Sequence, residues 1–203
     1  LVGEEGRGVA TIIEMVARTR LDCVLGTAAG MRQSAAEALW LVRHRFAFGA
    51  KLIDQPAMTA VVADLALESE AATVTGLRLA RAHDADADDA ENAFRRLATA
   101  VAKYWICKRG PEHAYEAMEC LGGNGYIEDF PVGRRYREQP VMAIWEGSGN
   151  VIALDVLRAI SREPESVDAF LAEVSRADGA HPAFDEYLAD TRALLADPRC
   201  SLL

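Results

Sequence analysis

The sequence predicts an all-α fold, an antiparallel helical bundle of four or five helices with a short helical tail. Three observations carry this. Apolar residues recur at steps of three and four along most segments, the longest such segment holds no proline, and no run alternates convincingly enough for a strand.

The first helix, Thr11 to Arg45, is built mostly from Ala, Leu, Val, Ile, Met and Arg. Most of these lose little freedom on entering a helix. The second starts near Pro56, whose fixed φ suits a first turn, and runs to about His83. Along it Val62, Leu65, Ser69, Ala72, Gly76 and Leu79 form a stripe of small and apolar residues fit for close packing. The acidic run Asp84 to Glu91 reads as a solvated turn that sets carboxylates at the positive start of a third helix, near Asp88. That helix places Phe94, Leu97, Val101 and Tyr104 on one face, and Gly110-Pro111 predicts a break before helix resumes to Leu121. A loop from Gly122 to Trp145 follows. Helix returns from Ser148 to Ile160, and two shorter amphipathic segments, Ser166 to Arg176 and Pro182 to Leu195, close the chain.

The 203 residues, 51% hydrophobic, suffice for one globular core and exclude a disordered chain. A net charge of −9 sets an unfavourable field for nucleic acid. No apolar run is long enough to span a bilayer and the start has no basic leader, so a soluble, cytoplasmic protein is expected. Cys23, Cys107, Cys120 and Cys200 form no CxxC pair, which points to reduced, buried thiols and no metal. His44, His83, His113 and His181 are scattered, and His113 with Glu116 reads as a helix-surface contact. The chain lacks an initiator Met and opens on the glycine-rich, charged LVGEEGRG, so we expect a piece of something larger.

Three clusters couple glycines to polar groups at helix ends: RFAFGAKLIDQ (Arg45 to Gln55), MECLGGNGY (Met118 to Tyr126) and RRYREQPVMAIWEGSGN (Arg134 to Asn150). Unpaired N–H groups at a helix terminus, approached through glycine, suit an anionic or nucleotide-like ligand. Gly122, Gly123, Gly125, Gly147 and Gly149 either line such a ligand or serve as helix caps. Arg134, Arg135 and Arg137 make a basic knot around Tyr136, flanked by Glu128, Asp129 and Glu138, and read as a solvated or ion-paired loop.

In order and spacing these blocks resemble the C-terminal helical domain of the acyl-CoA dehydrogenases: Arg45-x-x-Phe48-Gly49, Gln55, Leu121-Gly122-Gly123-x-Gly125-Tyr126, Arg137-Glu138 and Trp145-Glu146-Gly147-Ser148. The likeness runs from Leu1 to about Ile160. Glu119 in place of the usual Gln, with TRLDC, CKRG and WEGSGNVIALDVLR, is similar to the AidB-like branch associated with the alkylation response. The resemblance implies a linker at 1–10 leaving an upstream β-domain, a helical bundle at 11–161 and a helical tail of unknown role at 162–203.

The resemblance further implies removal of the α-proton of an acyl-CoA thioester by a carboxylate while the β-hydrogen leaves as hydride to FAD. The base matched by position is Glu146, with Gly147 leaving room for the substrate carbonyl. Some relatives carry the base just before the Arg matched by Arg20, where this chain has Thr19, so Arg20 is left to orient the loop or substrate, or simply to pair an acid. Arg45 is implied to reach the FAD pyrophosphate of a neighbouring subunit, Phe48 to pack near the flavin, and Gln55 to bond the adenosine side. Gly122, Gly123, Ser148 and Asn150 stand at FAD-touching positions. Glu119 would accept from a ribose hydroxyl but repel a phosphate. The implied partners are an acyl-CoA, an electron-transfer flavoprotein and further copies of the chain in a dimer or tetramer. The alternative is an AidB-like flavoprotein of the alkylation response whose main role is DNA protection or binding rather than dehydrogenation. The isolated chain is expected to bind FAD weakly or not at all.

Overall fold

The computed structural model describes residues 2–196. Eight α-helices account for most of the described residues: α1 (Gly8–His44), α2 (Pro56–Ala82), α3 (Asp89–Cys120), the single turn α4 (Gly123–Tyr126), α5 (Val132–Ile144), α6 (Gly149–Arg162), α7 (Pro164–Val174) and α8 (Pro182–Leu195). The first three are 37, 27 and 32 residues long and form the frame. At 1.5 Å per residue, α1 spans roughly 55 Å.

α1 and α2 run antiparallel, since Val24 and Leu25 meet Gly76 while Ala38 packs near Leu65. α3 turns back along both, bringing Cys107 to Thr27 and Arg109 to Glu68. The stripe read on α2 is the face that is buried, extended by Ala82. Its Gly76 admits the Leu25 methyl, which a Cβ there would meet at 2.9 Å. The core divides along the bundle axis. One cluster joins Leu21, Val24, Ala28 and Met31 to Leu79, Phe94 and Ile106; a second joins Ala35 and Ala38 to Leu65, Ala117, Leu121 and Val132.

Several expectations need correction. α3 is continuous through Gly110-Pro111. A proline inside a helix costs about 3 kcal/mol, but Ile106, Cys107, Gly110, His113, Ala114 and Ala117 are all buried on either side of it, and each large apolar group contributes about 1.5–3 kcal/mol. The buried face of α3 is also rotated from the one expected: Phe94 and Leu97 are buried, but Val101 is half-buried and Tyr104 exposed, with Ala98, Ala102 and Lys103 facing inward. The expected loop from Gly122 to Trp145 contains α4 and the 13-residue α5. A two-residue antiparallel ladder, β1 (Phe46–Ala47) with β2 (Ala50–Lys51), turns the chain between α1 and α2 where no strand was expected. α1 begins at Gly8, three residues before the expected start.

His113 is not a surface contact to Glu116. It is 6% exposed and its Nε2–H donates to the Leu65 carbonyl at 3.0 Å across the α2–α3 contact. The tail is not separate either, because Ala169 and Phe170 of α7 pack on the first core cluster and Arg78 pairs with both Glu91 and Glu173. α8 buries its own Leu188 and is tied back by Arg192 to Asp178. Cys23, Cys107 and Cys120 are free and buried, and burial pushes all three thiols up, Cys120 to about 11. Cys200 lies outside the described residues.

Candidate functional site

The four residues between α5 and α6, Trp145 to Ser148, form a tight turn with unusual backbone. Trp145 ends α5, its N–H donating to Val141. Glu146 then takes φ +58, one of two non-glycine residues with positive φ among the described residues, and Gly147 follows at φ +110. An L residue in the left-handed region costs about 1–2 kcal/mol, so the turn needs support from its surroundings.

That support comes from two cations on different helices. Arg20, on α1, donates from Nε to the Glu146 carbonyl at 3.0 Å and from Nη1 to Asp155 of α6 at 2.5 Å. Lys103, on α3 and 1% exposed, donates from Nζ to the Gly147 carbonyl at 2.6 Å. Asp155 is shared with Arg96, which also pairs with Glu163. Burial opposes the charged form of Asp155, yet Arg20 and Arg96 hold its carboxyl below the usual carboxylate range. Burial pushes the Lys103 ammonium downward. A Cβ on Gly147 would sit 3.2 Å from Val151 and 3.6 Å from Arg20 Nη2, so glycine here answers both to backbone and to space. Ser148 occupies the start of α6, but its hydroxyl makes no cap bond; the carbonyl accepts from Ile152 at 3.0 Å. Asn150 is exposed in the first turn. Thr19 bonds back to the Val16 carbonyl within α1.

Arg20 also borders a cleft of about 640 Å³ between α1, α3 and α6. Its lining mixes the apolar Ile13, Val16, Val151 and Leu154 with Arg95, Arg96 and Arg158 and with the carboxylates Glu14, Asp155 and Glu163. The side chain that holds the Glu146 turn thus also lines a cleft with apolar, cationic and acidic groups.

Arg45, Phe48 and Gln55 lie elsewhere, between α1 and α2. Arg45 is exposed and its carbonyl accepts from Leu52 N–H at 2.9 Å. Phe48 is 94% exposed at φ +55, and Gln55 is half-buried just ahead of Pro56. Glu119, Gly122 and Gly123 gather at the same end of the bundle, where α3 finishes beside the last turns of α1. The exposed Glu119 accepts from the Tyr115 phenol, which raises that phenol. Gly122 caps α3 in the left-handed region, φ +58, with its N–H on the Glu119 carbonyl. Nothing lies within 4 Å of a Cβ built on Gly122 or Gly123. Along α1, Arg20 and Arg45 are separated by roughly 37 Å. The structure therefore brings Arg20, Glu146, Gly147, Ser148 and Asn150 together, and sets Arg45, Phe48, Gln55, Glu119, Gly122 and Gly123 apart from them.

Lys103, Arg96 and Asp155 were missed by reading the sequence. The signal was present for Lys103, a charged residue three or four steps from Thr99, Ala100, Ile106 and Cys107 on a helix whose neighbours at that spacing are uncharged. The basic knot is fully engaged: Arg134 with Glu138, Arg135 with Glu37 and Arg137 with Glu128. No group of three or more metal-ligating side chains occurs among the described residues, and none of their helices is long and apolar enough to cross a membrane.

The chain is similar to several known proteins. AidB of Escherichia coli is 42% identical over 198 residues, covering 98% of this chain and 37% of its own. The mitochondrial short-chain specific acyl-CoA dehydrogenase of Bos taurus is 31% identical, covering 77% of this chain and 36% of its own. The crystal structure of Caenorhabditis elegans ACDH-11 in complex with C11-CoA superposes with a TM-score of 0.81 at 30% identity, over 94% of this chain and 33% of that one. The chain thus spans somewhat over a third of the curated relatives it matches. Residues 6–161 match the family model of the acyl-CoA dehydrogenase C-terminal domain, and the chain belongs to that family.

Proposed function

We propose that this chain is the C-terminal part of an FAD-dependent acyl-CoA dehydrogenase, in which Glu146 removes the α-proton of an acyl-CoA thioester. The single observation that carries the reading is the Arg20 bridge, which fixes the Glu146 backbone at 3.0 Å and borders the cleft of about 640 Å³. Such a cleft suits a ligand with an apolar arm and an anionic group: Ile13, Val16, Val151 and Leu154 line the apolar part and Arg95 and Arg158 offer charge, while Arg96 is held by Asp155 and Glu163. Gly147 keeps a side chain from crowding Val151, Ile152 and Arg20 at the turn, which suits a site where the thioester carbonyl must approach. A base must stand within hydrogen-bond reach of its proton, and a half-buried Glu on a turn held from two helices is suited to that.

The residues at the far end of the bundle fit a flavin dinucleotide. An exposed fixed-charge guanidinium at Arg45, an almost fully exposed ring at Phe48 and the open main chain at Gly122 and Gly123 offer groups for pyrophosphate, ring and backbone contacts. Gln55 and Glu119 would serve the adenosine side, with Glu119 as an acceptor; Ser148 and Asn150 would touch a flavin near Glu146. When bound, FAD supplies the acceptor for the β-hydride. The roughly 37 Å between the two sets supports assigning them to the flavins of different subunits, hence a dimer or homotetramer. In this reading residues 11–161 form the catalytic bundle, 1–10 the link to an upstream domain and 162–203 a tail. The protein would act in cytoplasmic fatty acid metabolism and pass electrons to an electron-transfer flavoprotein.

The test is an anaerobic absorbance titration of the full-length protein with short, branched and long acyl-CoAs, beside Glu146→Gln. Bleaching of the flavin in the wild type and not in the variant is expected. A bound flavin that no acyl-CoA bleaches would shift the reading to an AidB-like protein of DNA protection, for which DNA binding by the intact protein is the next measurement.

A further inference from the structure

A lysine is almost never fully buried without a charged partner. Lys103 is 1% exposed and forms no ion pair among the described residues; its hydrogen bond goes to a backbone carbonyl, that of Gly147, at 2.6 Å. Among the groups whose charge reaches it, the Cys107 sulfur accepts from the Thr27 hydroxyl, and Glu146 makes no ion pair with it. An apolar side chain of similar length would fill this place on α3 at lower cost if packing were its purpose.

We infer that Lys103 is a positioning residue for Glu146, holding the Gly147 carbonyl so that the left-handed turn keeps the Glu146 carboxylate in one place. The inference rests on the reading of Glu146 as the base. Glu146 and Gly147 are consecutive residues with positive φ, and their carbonyls are taken by cations from two separate helices, Arg20 of α1 and Lys103 of α3. Removing either donor leaves a carbonyl of a strained turn unpaired, and the turn can relax to another backbone basin. Arg20 also bonds Asp155, so it stays in place without the turn. Lys103 has no such second anchor, and what it fixes is the turn itself.

The experiment uses the full-length flavoprotein with Lys103→Met, Lys103→Gln and Glu146→Gln. Two readouts are taken: kcat and KM for an acyl-CoA, and solvent washout of deuterium from the α-carbon of an acyl-CoA analogue, which needs the base but no hydride transfer. Lys103→Met is expected to lower kcat and washout about 100-fold, the cost of a misplacement of about 1 Å, with KM nearly unchanged. Lys103→Gln, which keeps an N–H donor, recovers part of the loss. Washout at the wild-type rate in Lys103→Met, where Glu146→Gln abolishes it, overturns the inference. Washout that survives Glu146→Gln overturns instead the assignment of the base. If the Lys103 variants do not fold, the wild-type protein is read by NMR: a slowly exchanging Lys103 ammonium coupled to the Gly147 carbonyl supports the inference, and exchange as fast as at the exposed Lys51 overturns it.

Discussion

Glu146 is held in a conformation that glycine would adopt freely, at φ +58 on a turn clamped by Arg20 and Lys103. Strain of this kind, kept at a carboxylate beside a cleft, predicts a trade between stability and chemistry. Glu146→Gly should stabilise the chain by about 1 kcal/mol, seen as a raised thermal midpoint, while Glu146→Gln, with the same backbone demand, leaves the midpoint near that of the wild type. Equal midpoints for the glycine variant and the wild type would show that the turn stores no strain. His113 gives a second prediction at this scale. Burial pushes its imidazole down, and its Nε2–H is committed to Leu65 while Nδ1 has no partner. His83 is shifted the same way by burial. With the folded value below the unfolded one of about 6.5, the unfolded chain binds more protons as pH falls through that point. The stability from both groups is complete above about pH 6.5 and is lost as pH falls toward the folded values. Urea midpoints should drop between about pH 7 and pH 5, and drop less in His113→Phe, which costs about 1 kcal/mol at pH 7 by orphaning the Leu65 carbonyl.

At the scale of elements, α5 is keyed into the frame by one side chain. Gln139 is 4% exposed, and its amide lies between Gly30 of α1 and Gly110 of α3: a Cβ on Gly30 would collide with Nε2, and one on Gly110 would reach Oε1 at 2.5 Å. Gly30→Ala should therefore cost about 1–3 kcal/mol in the wild type and much less when combined with Gln139→Ala, a coupling that a double-mutant cycle on unfolding midpoints measures directly. Additive costs would mean that the amide is free to move. This keying explains what was legible in the sequence and what was not. The face of α2 could be read because its small and apolar residues keep helical spacing from Val62 to Leu79. α5 could not, because Arg134, Arg135, Arg137, Glu138 and Pro140 hide its period, and its buried residues are Val132, Gly133 and Gln139, only one of them a large apolar group. The Glu146 turn was legible as a motif. Its clamp was not, since Lys103 lies 44 positions before Gly147, and only the packing of α3 against α6 brings the two together.

At the scale of the molecule, the faces left open decide how the chain behaves alone. Leu67, Val74 and Leu77 are each at least 60% exposed on one side of α2, and Trp105, Ile144 and Trp145 are exposed elsewhere on the bundle. Apolar area of this extent is uncommon on a monomer, whereas a net charge of −9 works against association. Since α2 concentrates three of these side chains on one stripe, we expect the 203-residue chain to self-associate through it. Val74→Glu with Leu77→Glu should then shift sedimentation to the monomer while leaving the helical circular dichroism unchanged. The separation of Arg20 from Arg45 by roughly 37 Å bears on the cofactor in the same experiment. Each proposed half-site offers only part of a dinucleotide's contacts, and the ring at Phe48 is 94% exposed, with nothing to close over a ligand. Partial sites bind weakly because the cost of immobilising a ligand is met by few contacts. The isolated chain is expected to purify without flavin and to show no saturable fluorescence quenching of added FAD, whether self-associated or not. A stoichiometric flavin retained through gel filtration would mean that the two residue sets close into a complete site between copies of this chain alone.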